Sequence, residues 1–205
     1  NESTWIAQRN GRTKDGDDKT QVAVIKMFAM SSDKPFADNL AEMNIAPIAV
    51  SYEYEPCDAL KTQEVYLLRK NGTYTKTANE DLNSIVTGIR QFKGRISYTF
   101  CPPITETELA SCQEAPHKER FRLLAEIIDR RIYSGYRLFN TNYMAYDLLE
   151  GTHRFTQQYS DEDLKEFIAY TDERTSSLEG DRGELRNIFL GIYANPVRNC
   201  IDNNI

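Results

Sequence analysis

The sequence predicts an α/β protein with a partial, mixed or mostly parallel sheet flanked by helices, followed by an all-helical C-terminal region. Three observations lead to this class. Strand-like apolar runs alternate with helical periodicity up to about residue 115, one of these runs is almost continuously apolar, and only helical periodicity follows. We therefore expect an α/β region over residues 1–115 and a helical tail over residues 116–205.

The first elements surround a polar loop. Residues 4–7 form a short apolar stretch that predicts a buried strand, and residues 8–18 form the loop. Apolar residues then recur at roughly helical spacing over residues 19–30, where Asp17 or Asp18 is the candidate N-cap. The pattern thus predicts a strand, a loop and a helix in succession.

The strongest strand pattern is the run IAPIAVSY at residues 45–52, preceded by a short predicted helix at residues 36–43. A nearly continuous apolar run of this kind is typical of a parallel sheet that is buried on both faces. Residues 58–79 form a polar segment. Its first part has helical periodicity, which ends around Asn71 and Gly72.

Two further elements complete the first region. Residues 80–90 predict a helix. Residues 94–100 alternate between apolar and polar side chains, which predicts a strand. The two prolines that follow Cys101 end that strand, because proline cannot donate to a sheet ladder.

The tail contains four segments with helical periodicity. The first, at residues 118–136, has an apolar stripe on one face. The second ends at Gly151, the third begins at Ser160 with Asp163 in the capping-box position, and the fourth ends at Asn195 and Pro196. The stripe consists of Phe121, Leu124, Ile128 and Ile132, and the other three helices span residues 142–150, 161–174 and 183–194.

Composition excludes several classes of protein. The formal net charge is −6, with 25 basic and 31 acidic residues spread evenly along the chain, so a broad surface for nucleic acid is not expected. The 4 cysteines form no Cys-x-x-Cys pair, and we expect reduced thiols, although two disulfides remain possible from the count alone. No apolar run approaches the roughly 18 to 20 residues that a membrane-spanning helix needs.

The loop at residues 8–16 is the strongest candidate for a binding site. It has the sequence QRNGRTKDG, which brings three cations and two glycines together between a predicted strand and a predicted helix. Arginine binds phosphate through two N–H groups, glycine lets the backbone approach a ligand, and a helix N-terminus attracts anions. The alternative is a solvated loop whose charges are cancelled by Asp15, Asp17 and Asp18.

Other residues that could carry chemistry are interpreted as structural. The acidic stretch at residues 15–18 lacks the glutamate of a calcium loop, because Lys26 occupies that position. His117 and His153 have no neighbouring nucleophile motif and are expected at the surface or at helix ends. The alternating Glu53 and Glu55 are expected as solvated strand-end charges. Four tyrosines near helical spacing indicate helix packing, with a membrane-facing surface as the alternative; they are Tyr133, Tyr136, Tyr143 and Tyr146.

The order of these pieces resembles the second half of the glycerophosphate and lysophospholipid acyltransferase superfamily. Members carry a His-x-x-x-x-Asp motif, then a Phe-Pro-Glu-Gly-Thr-Arg-Ser-like loop, a Val-Pro-Val/Ile strand and commonly a Val-x-Val-x-Phe-Gly-x-Pro-Ile strand. Here IAPIAV at residues 45–50 looks like the Val-Pro-Ile strand, and RISYTFCPPI at residues 95–104 is similar to the last strand. WIAQRNGR at residues 5–12 stands in the place of the glycine-arginine loop. The resemblance covers residues 3 to about 105 and is closest to long bacterial members that add a helical tail.

The chain departs from the family pattern at two places. With Gly11 aligned on the motif glycine, the motif glutamate falls on Asn10 and the motif arginine on Thr13, between Arg12 and Lys14. Neither histidine begins a His-x-x-x-x-Asp motif, because Arg122 and Gln158 stand where the aspartate is required. The resemblance therefore implies that the catalytic pair lies before residue 1 and that this chain, the C-terminal half of the α/β domain plus the tail, is inactive alone.

The resemblance also implies a reaction of phospholipid biosynthesis. A histidine outside this chain would deprotonate a hydroxyl of a glycerol-phosphate or lysophospholipid-type acceptor, which then attacks the thioester of acyl-CoA or an acyl-carrier protein. No catalytic residue, metal or other cofactor is expected in the chain. The implied location is cytoplasmic, or peripheral at the inner membrane face. The residues implied to bind the acceptor's phosphate are Arg9, Asn10, Gly11, Arg12 and Lys14.

The sequence is also compatible with two other functions. The chain could be a non-catalytic module that docks a partner or a membrane surface through its helical tail. It could also be an α/β domain that binds a nucleotide or sugar phosphate with the same loop.

Overall fold

The computed structural model describes residues 3–9 and 13–205, and it shows a mostly helical protein. Within these residues there are nine α-helices, one 3-10 turn and two β-strands, which pair antiparallel with each other. The prediction of an α/β fold with a parallel sheet is therefore wrong.

The helices occupy most of the chain. The strands are β1 (Ile48–Tyr52) and β2 (Ile96–Phe100). The helices are α1 (Val22–Ala29), α2 (Phe36–Met43), α3 (Asp58–Asn71), α4 (Glu80–Arg90), α5 (Glu106–Glu114), α6 (His117–Ser134), α7 (Asn140–Glu150), α8 (Asp161–Ser176) and α9 (Arg182–Asp202).

Two of the three predicted strands form, β1 within residues 45–52 and β2 within residues 94–100, but the third does not and the burial of β1 differs from the prediction. Residues 4–7 form no strand, and Trp5 is 71% exposed, so the predicted buried strand is wrong. In β1 only Ala49 is buried, and the other four residues are half-buried, so this strand is not enclosed on both faces. An apolar run becomes a strand only when a second strand satisfies its backbone groups, and that partner is not encoded locally.

Contacts divide the chain into two compact units. The first comprises residues 3–9, Asp18–Ala49 and Tyr98–Tyr136 among those described, and it contains α1, α2, α5 and α6. Its core includes the whole predicted stripe of α6, since every member of that stripe is buried. The stripe prediction is confirmed, because spacings of three and four residues keep these side chains on one helix face.

The second unit contains α3, α4, α7, α8 and α9. It comprises Thr13–Asp17, Val50–Ser97 and Arg137–Ile205. Helix α9 lies at its centre and packs against α3, α7 and α8. The buried side chains of α9 include Phe189 and Tyr193. The two units alternate along the sequence, and the predicted division at residue 115 stays a prediction.

Helix α9 continues through Pro196, although the sequence predicted that it ends there. Proline has no N–H to donate to the carbonyl of Ile192, four residues earlier. Gly16 lies against that carbonyl so closely that a Cβ on Gly16 would overlap its oxygen. The side-chain amide of Asn195 also donates to the carbonyl of Asp15 (2.6 Å). The segment that contains Asp15 and Gly16 therefore packs against the turn of α9 in which Pro196 cannot donate a main-chain hydrogen bond.

Helix starts follow local chemistry where a capping side chain is available. Ser160 and Asp163 form the predicted capping box of α8: Asp163 N donates to Ser160 Oγ (3.1 Å), and Ser160 N donates to Asp163 Oδ2 (2.8 Å). Thr105 and Glu108 form another at α5, a helix that the sequence pattern did not predict. The predicted caps of α1 are wrong, because its N-cap is Gln21.

Candidate anion-binding site

The start of the predicted phosphate loop lies beside the N-terminus of α1. Gln21 N donates to the carbonyl of Gln8 (3.0 Å), which brings residues 8 and 9 to the beginning of the helix. The Gln21 side chain makes no capping hydrogen bond, and the first turn of α1 contains no acidic residue. First-turn N–H groups without a cap carry the positive end of the helix dipole, so this helix end favours an anion.

Arg9 adds a charged donor at this position. The residue is half-buried, and its guanidinium Nε is buried without a hydrogen-bond partner. The guanidinium is always charged in proteins, and a buried donor without an acceptor costs about 1 to 3 kcal/mol. An anionic oxygen next to Arg9 would satisfy this N–H.

Helix α6 positions the segment that leads into α1. The hydroxyl of Tyr133 donates to the carbonyl of Asp18 (2.6 Å), and the hydroxyl of Tyr136 donates to Asp18 Oδ2 (2.9 Å). Thr20 N donates to Asp129 Oδ1 (2.8 Å). The prediction that the tyrosines serve packing is confirmed for Tyr133, which is buried in the core, and for Tyr136 and Tyr146, which pack against core clusters. The supporting role of Asp129 was missed, because a lone aspartate within a helix gives no sequence pattern.

The structure accounts for the predicted site residues only in part. Lys14 makes an ion pair with Glu64 of α3, in the second unit, whereas Arg9 belongs to the first. Asn10, Gly11 and Arg12 lie outside the described residues. The five-residue site therefore stays a prediction, with Arg9 as the member that the geometry favours.

The other residues considered from sequence have structural surroundings. His117 is the first residue of α6 and packs edge-on against the ring of Phe121, and His153 is exposed in a turn. Glu53 accepts two hydrogen bonds from the guanidinium of Arg95 (2.8 and 3.2 Å), which lower the pKa of its carboxyl. Glu55 pairs with Lys61 at 3.2 Å. These carboxylates are thus ion-paired, whereas the sequence predicted that they are solvated.

All four cysteines are buried free thiols, as expected for reduced side chains. Burial raises the thiol pKa of Cys101, Cys112 and Cys200. A raised pKa keeps a thiol protonated and unreactive, so these cysteines act as small apolar side chains. Within residues 3–9 and 13–205, no group of three or more His, Cys, Asp or Glu side chains could hold a metal ion.

A buried charge network surrounds Asp58, the first residue of α3, and no sequence pattern indicated it. The side chain is fully buried, and its Oδ2 accepts hydrogen bonds from the hydroxyls of Tyr170 (2.6 Å) and Tyr193 (2.8 Å). Its Oδ1 accepts from both Nε (2.9 Å) and a terminal nitrogen (2.6 Å) of Arg174. Burial and the negative charge of Asp58 raise the pKa of both tyrosines. Because both oxygens are satisfied and enclosed, the network joins α3, α8 and α9 and does not form a ligand site.

No family model, curated protein or solved structure matches this chain. Among the helices that the structure describes, none is both long enough and apolar enough to cross a membrane.

Proposed function

We propose that this chain supplies the acceptor-binding part of an acyltransferase. The enzyme would move a fatty acyl group from an acyl thioester to a hydroxyl of a glycerol-phosphate or lysophospholipid-type acceptor. The observation that carries the proposal is the buried Nε of Arg9, which has no hydrogen-bond partner and belongs to the segment that meets the N-terminus of α1. The segments at residues 5–12, 45–50 and 95–104 support it through their resemblance to the acyltransferase superfamily.

Arg9 would bind the acceptor's phosphate and so orient the hydroxyl for attack. A phosphate held by a guanidinium and helix N–H groups fixes one end of the acceptor, which lowers the entropic part of the barrier. The hydroxyl proton would pass to a histidine of the implied His-x-x-x-x-Asp pair. The oxygen would then attack the thioester carbonyl, and the thiol of the donor would leave. This scheme assigns binding to the chain and the proton transfer to residues outside it.

The proposed function does not depend on the predicted α/β fold class, which is wrong. An enzyme with a phosphorylated lipid acceptor would work at a membrane surface. We therefore place the chain in the cytoplasm, in peripheral contact with the inner membrane face, as part of the same proposal.

Calorimetry with glycerol 3-phosphate tests the proposal directly. The wild-type chain should bind glycerol 3-phosphate and should not bind glycerol. Arg9→Gln should weaken the binding of glycerol 3-phosphate about 10-fold or more, because a hydrogen bond to a charged group contributes about 1.5 to 3 kcal/mol. Arg69→Gln, which removes an exposed arginine of α3, is the matched control and should bind as the wild type does.

Three outcomes would contradict the proposal. They are a chain that binds no glycerol 3-phosphate, an equal loss of affinity in the Arg69 control, and preferential binding of nucleotides. Robust acyl transfer by the chain alone would also contradict it, because the general base would then lie within residues 1–205.

A further inference from the structure

Helix α4 packs with its small residues inward and its large apolar residues outward. Ser84 is its only buried residue, and the carbonyl of Ser84 accepts a hydrogen bond from Cys57 Sγ (3.4 Å). Gly88, one turn later, also faces Cys57, since a Cβ there would lie 3.6 Å from that sulfur. The small side chains therefore let α4 lie close to Cys57, just before α3 in the same unit. The apolar stripe is left facing solvent.

The exposed stripe consists of Leu82, Ile85, Val86 and Ile89, with Phe92 just after the helix. Leu82, Ile85 and Ile89 are 60%, 57% and 72% exposed, and Phe92 is 70% exposed although its ring contacts Tyr54. The spacing i, i+3, i+4, i+7 places the four helical residues on one face. A contiguous apolar patch of this kind marks a binding surface more often than an isolated exposed side chain does.

Two cations lie at the C-terminal end of this stripe, and two carboxylates lie at its N-terminal end. The carboxylates at the start of α4 are engaged: Asp81 pairs with Lys76 at 2.5 Å, and Glu80 accepts a hydrogen bond from Thr77 N (3.0 Å). Arg90, next to Ile89, is exposed and makes no ion pair within the described chain. The ammonium of Lys93 donates to two main-chain carbonyls and to no described carboxylate.

We propose that the α4 stripe, defined as Leu82, Ile85, Val86, Ile89 and Phe92, binds an anionic lipid surface. A single amphipathic helix lying on a protein presents a ridge of aliphatic and aromatic side chains that can enter the boundary between headgroups and acyl chains. Arg90 and Lys93 flank the stripe at its C-terminal end. Their long side chains reach phosphate groups while their apolar stems follow the stripe. These two cations complement anionic headgroups at this end of the stripe, although the formal net charge of the whole chain is −6.

This inference rests on the proposed function only for the peripheral location, and it uses neither Arg9 nor acyl transfer. Vesicle binding is measured without acyl donor or acceptor, so the two proposals can fail separately. The Arg9→Gln variant should bind glycerol 3-phosphate more weakly and should bind vesicles as the wild type does.

Sedimentation of the full chain with vesicles tests the inference. The wild type should bind vesicles of equimolar phosphatidylcholine and phosphatidylglycerol and bind pure phosphatidylcholine much less. The double substitution Ile85→Ser and Ile89→Ser should reduce partitioning at least about 10-fold, because two buried aliphatic side chains are lost from the contact. Arg90→Gln and Lys93→Gln should each reduce binding to the anionic vesicles about fivefold.

The matched control is the double substitution Met27→Ser and Met30→Ser, which removes two exposed apolar side chains of the α1 region. It should bind vesicles as the wild type does, and circular dichroism should show the same helix content for every variant. The inference is overturned if the wild type binds neither vesicle, if it prefers pure phosphatidylcholine, or if the control loses as much binding as the stripe variant. It is also overturned if the chain alone forms a dimer that the stripe variant abolishes, because the stripe would then join two copies of this chain.

Discussion

Gly16 illustrates how one residue can be required for two independent reasons. Its φ of 75° lies in the left-handed region, where a side chain is strained, and its Cα also contacts the Ile192 carbonyl in the proline-containing turn of α9. Gly72 has nearly the same φ (74°) and no atom near the position of a Cβ. A comparison of substitutions at Gly16 and Gly72 therefore separates the cost of backbone strain from the cost of a steric clash.

We expect Gly16→Ala to lower the free energy of unfolding more than Gly72→Ala does. Both substitutions carry the cost of a positive φ, about 1 kcal/mol, and only Gly16→Ala adds a clash with a main-chain oxygen that cannot move without bending α9. Urea unfolding of the two variants measures the difference. Equal destabilisation would show that Gly16 does not contact α9 in solution.

The Asp58 network predicts a large effect of a nearly isosteric substitution. Asp58→Asn leaves the tyrosine hydroxyls in place and removes the charge that compensates Arg174, and breaking a buried ion pair in this way costs about 3 to 5 kcal/mol. The lower end of that range applies, because Arg174 is partly exposed. Thermal or urea unfolding measures the loss.

The control for Asp58→Asn is Asp81→Asn, which removes one partner of an exposed ion pair on α4. An exposed pair contributes about 0 to 1 kcal/mol, so this variant should unfold almost as the wild type does. A similar loss of stability in both variants would show that the large effect expected for Asp58→Asn does not come from the burial of this carboxylate.

At the scale of elements, most helices and two of the three strands were predictable, whereas the direction in which the strands pair was not. The predicted bounds of α2 and α4 agree with the structure to the residue, because periodicity is a local property of a short sequence. The predicted strand at residues 4–7 does not form, and α5 was missed because nine residues with little apolar periodicity resemble a loop. Strand formation depends on a partner elsewhere in the chain, and no local pattern names that partner.

The capping box of α8 gives a prediction for this element alone. Ser160→Ala removes the acceptor for Asp163 N and should lower the free energy of unfolding by about 1 kcal/mol. Ser177→Ala, an exposed serine at the other end of α8, is the control and should change stability by less than about 0.5 kcal/mol. Chemical unfolding of both variants gives the comparison, and an equal effect at the two ends would argue against the cap.

At the scale of the whole molecule, paired carboxylates predict that acid destabilises the fold. The hydrogen bonds from Arg95 lower the pKa of Glu53, and at Asp147 hydrogen bonds from Thr152, Tyr159 and the main chain outweigh the opposing effect of burial and lower its pKa. A carboxyl whose folded-state pKa is lowered contributes its full stability above the unfolded-state pKa, about 4. That contribution declines below this pH and is lost as the pH falls through the folded-state pKa.

Urea unfolding at neutral pH and at about pH 3 should therefore show a marked loss of stability in acid. Asp147→Asn should be less stable than the wild type at neutral pH and should show a smaller decrease on acidification, because one of the responsible groups is gone. Asp172→Asn, which changes an exposed carboxylate, should retain the wild-type decrease. A wild-type stability that is constant across this range would contradict the assignment of these carboxylates.

The candidate site was predictable in its chemistry and not in its geometry. Arg9 stood out from sequence because a cation followed an apolar stretch and preceded a helix, and the structure places it at the N-terminus of α1. Lys14 carried the same expectation and instead pairs with Glu64, fifty residues later in the chain. Sequence distance says nothing about which carboxylate reaches a given cation, so only one of these two expectations gained support.

The sequence by itself determined the helices with strong periodicity, the capping box at Ser160 and the buried stripe of α6. These properties depend on side chains within a few residues of one another or on simple apolarity. Only the tertiary structure decided that the strands pair antiparallel, that α9 continues through Pro196 beside Gly16, that Asp58 is enclosed by α8 and α9, and that α4 faces solvent with its apolar side. Each of these depends on contacts between segments far apart in the chain, whose formation reflects the packing of the whole unit.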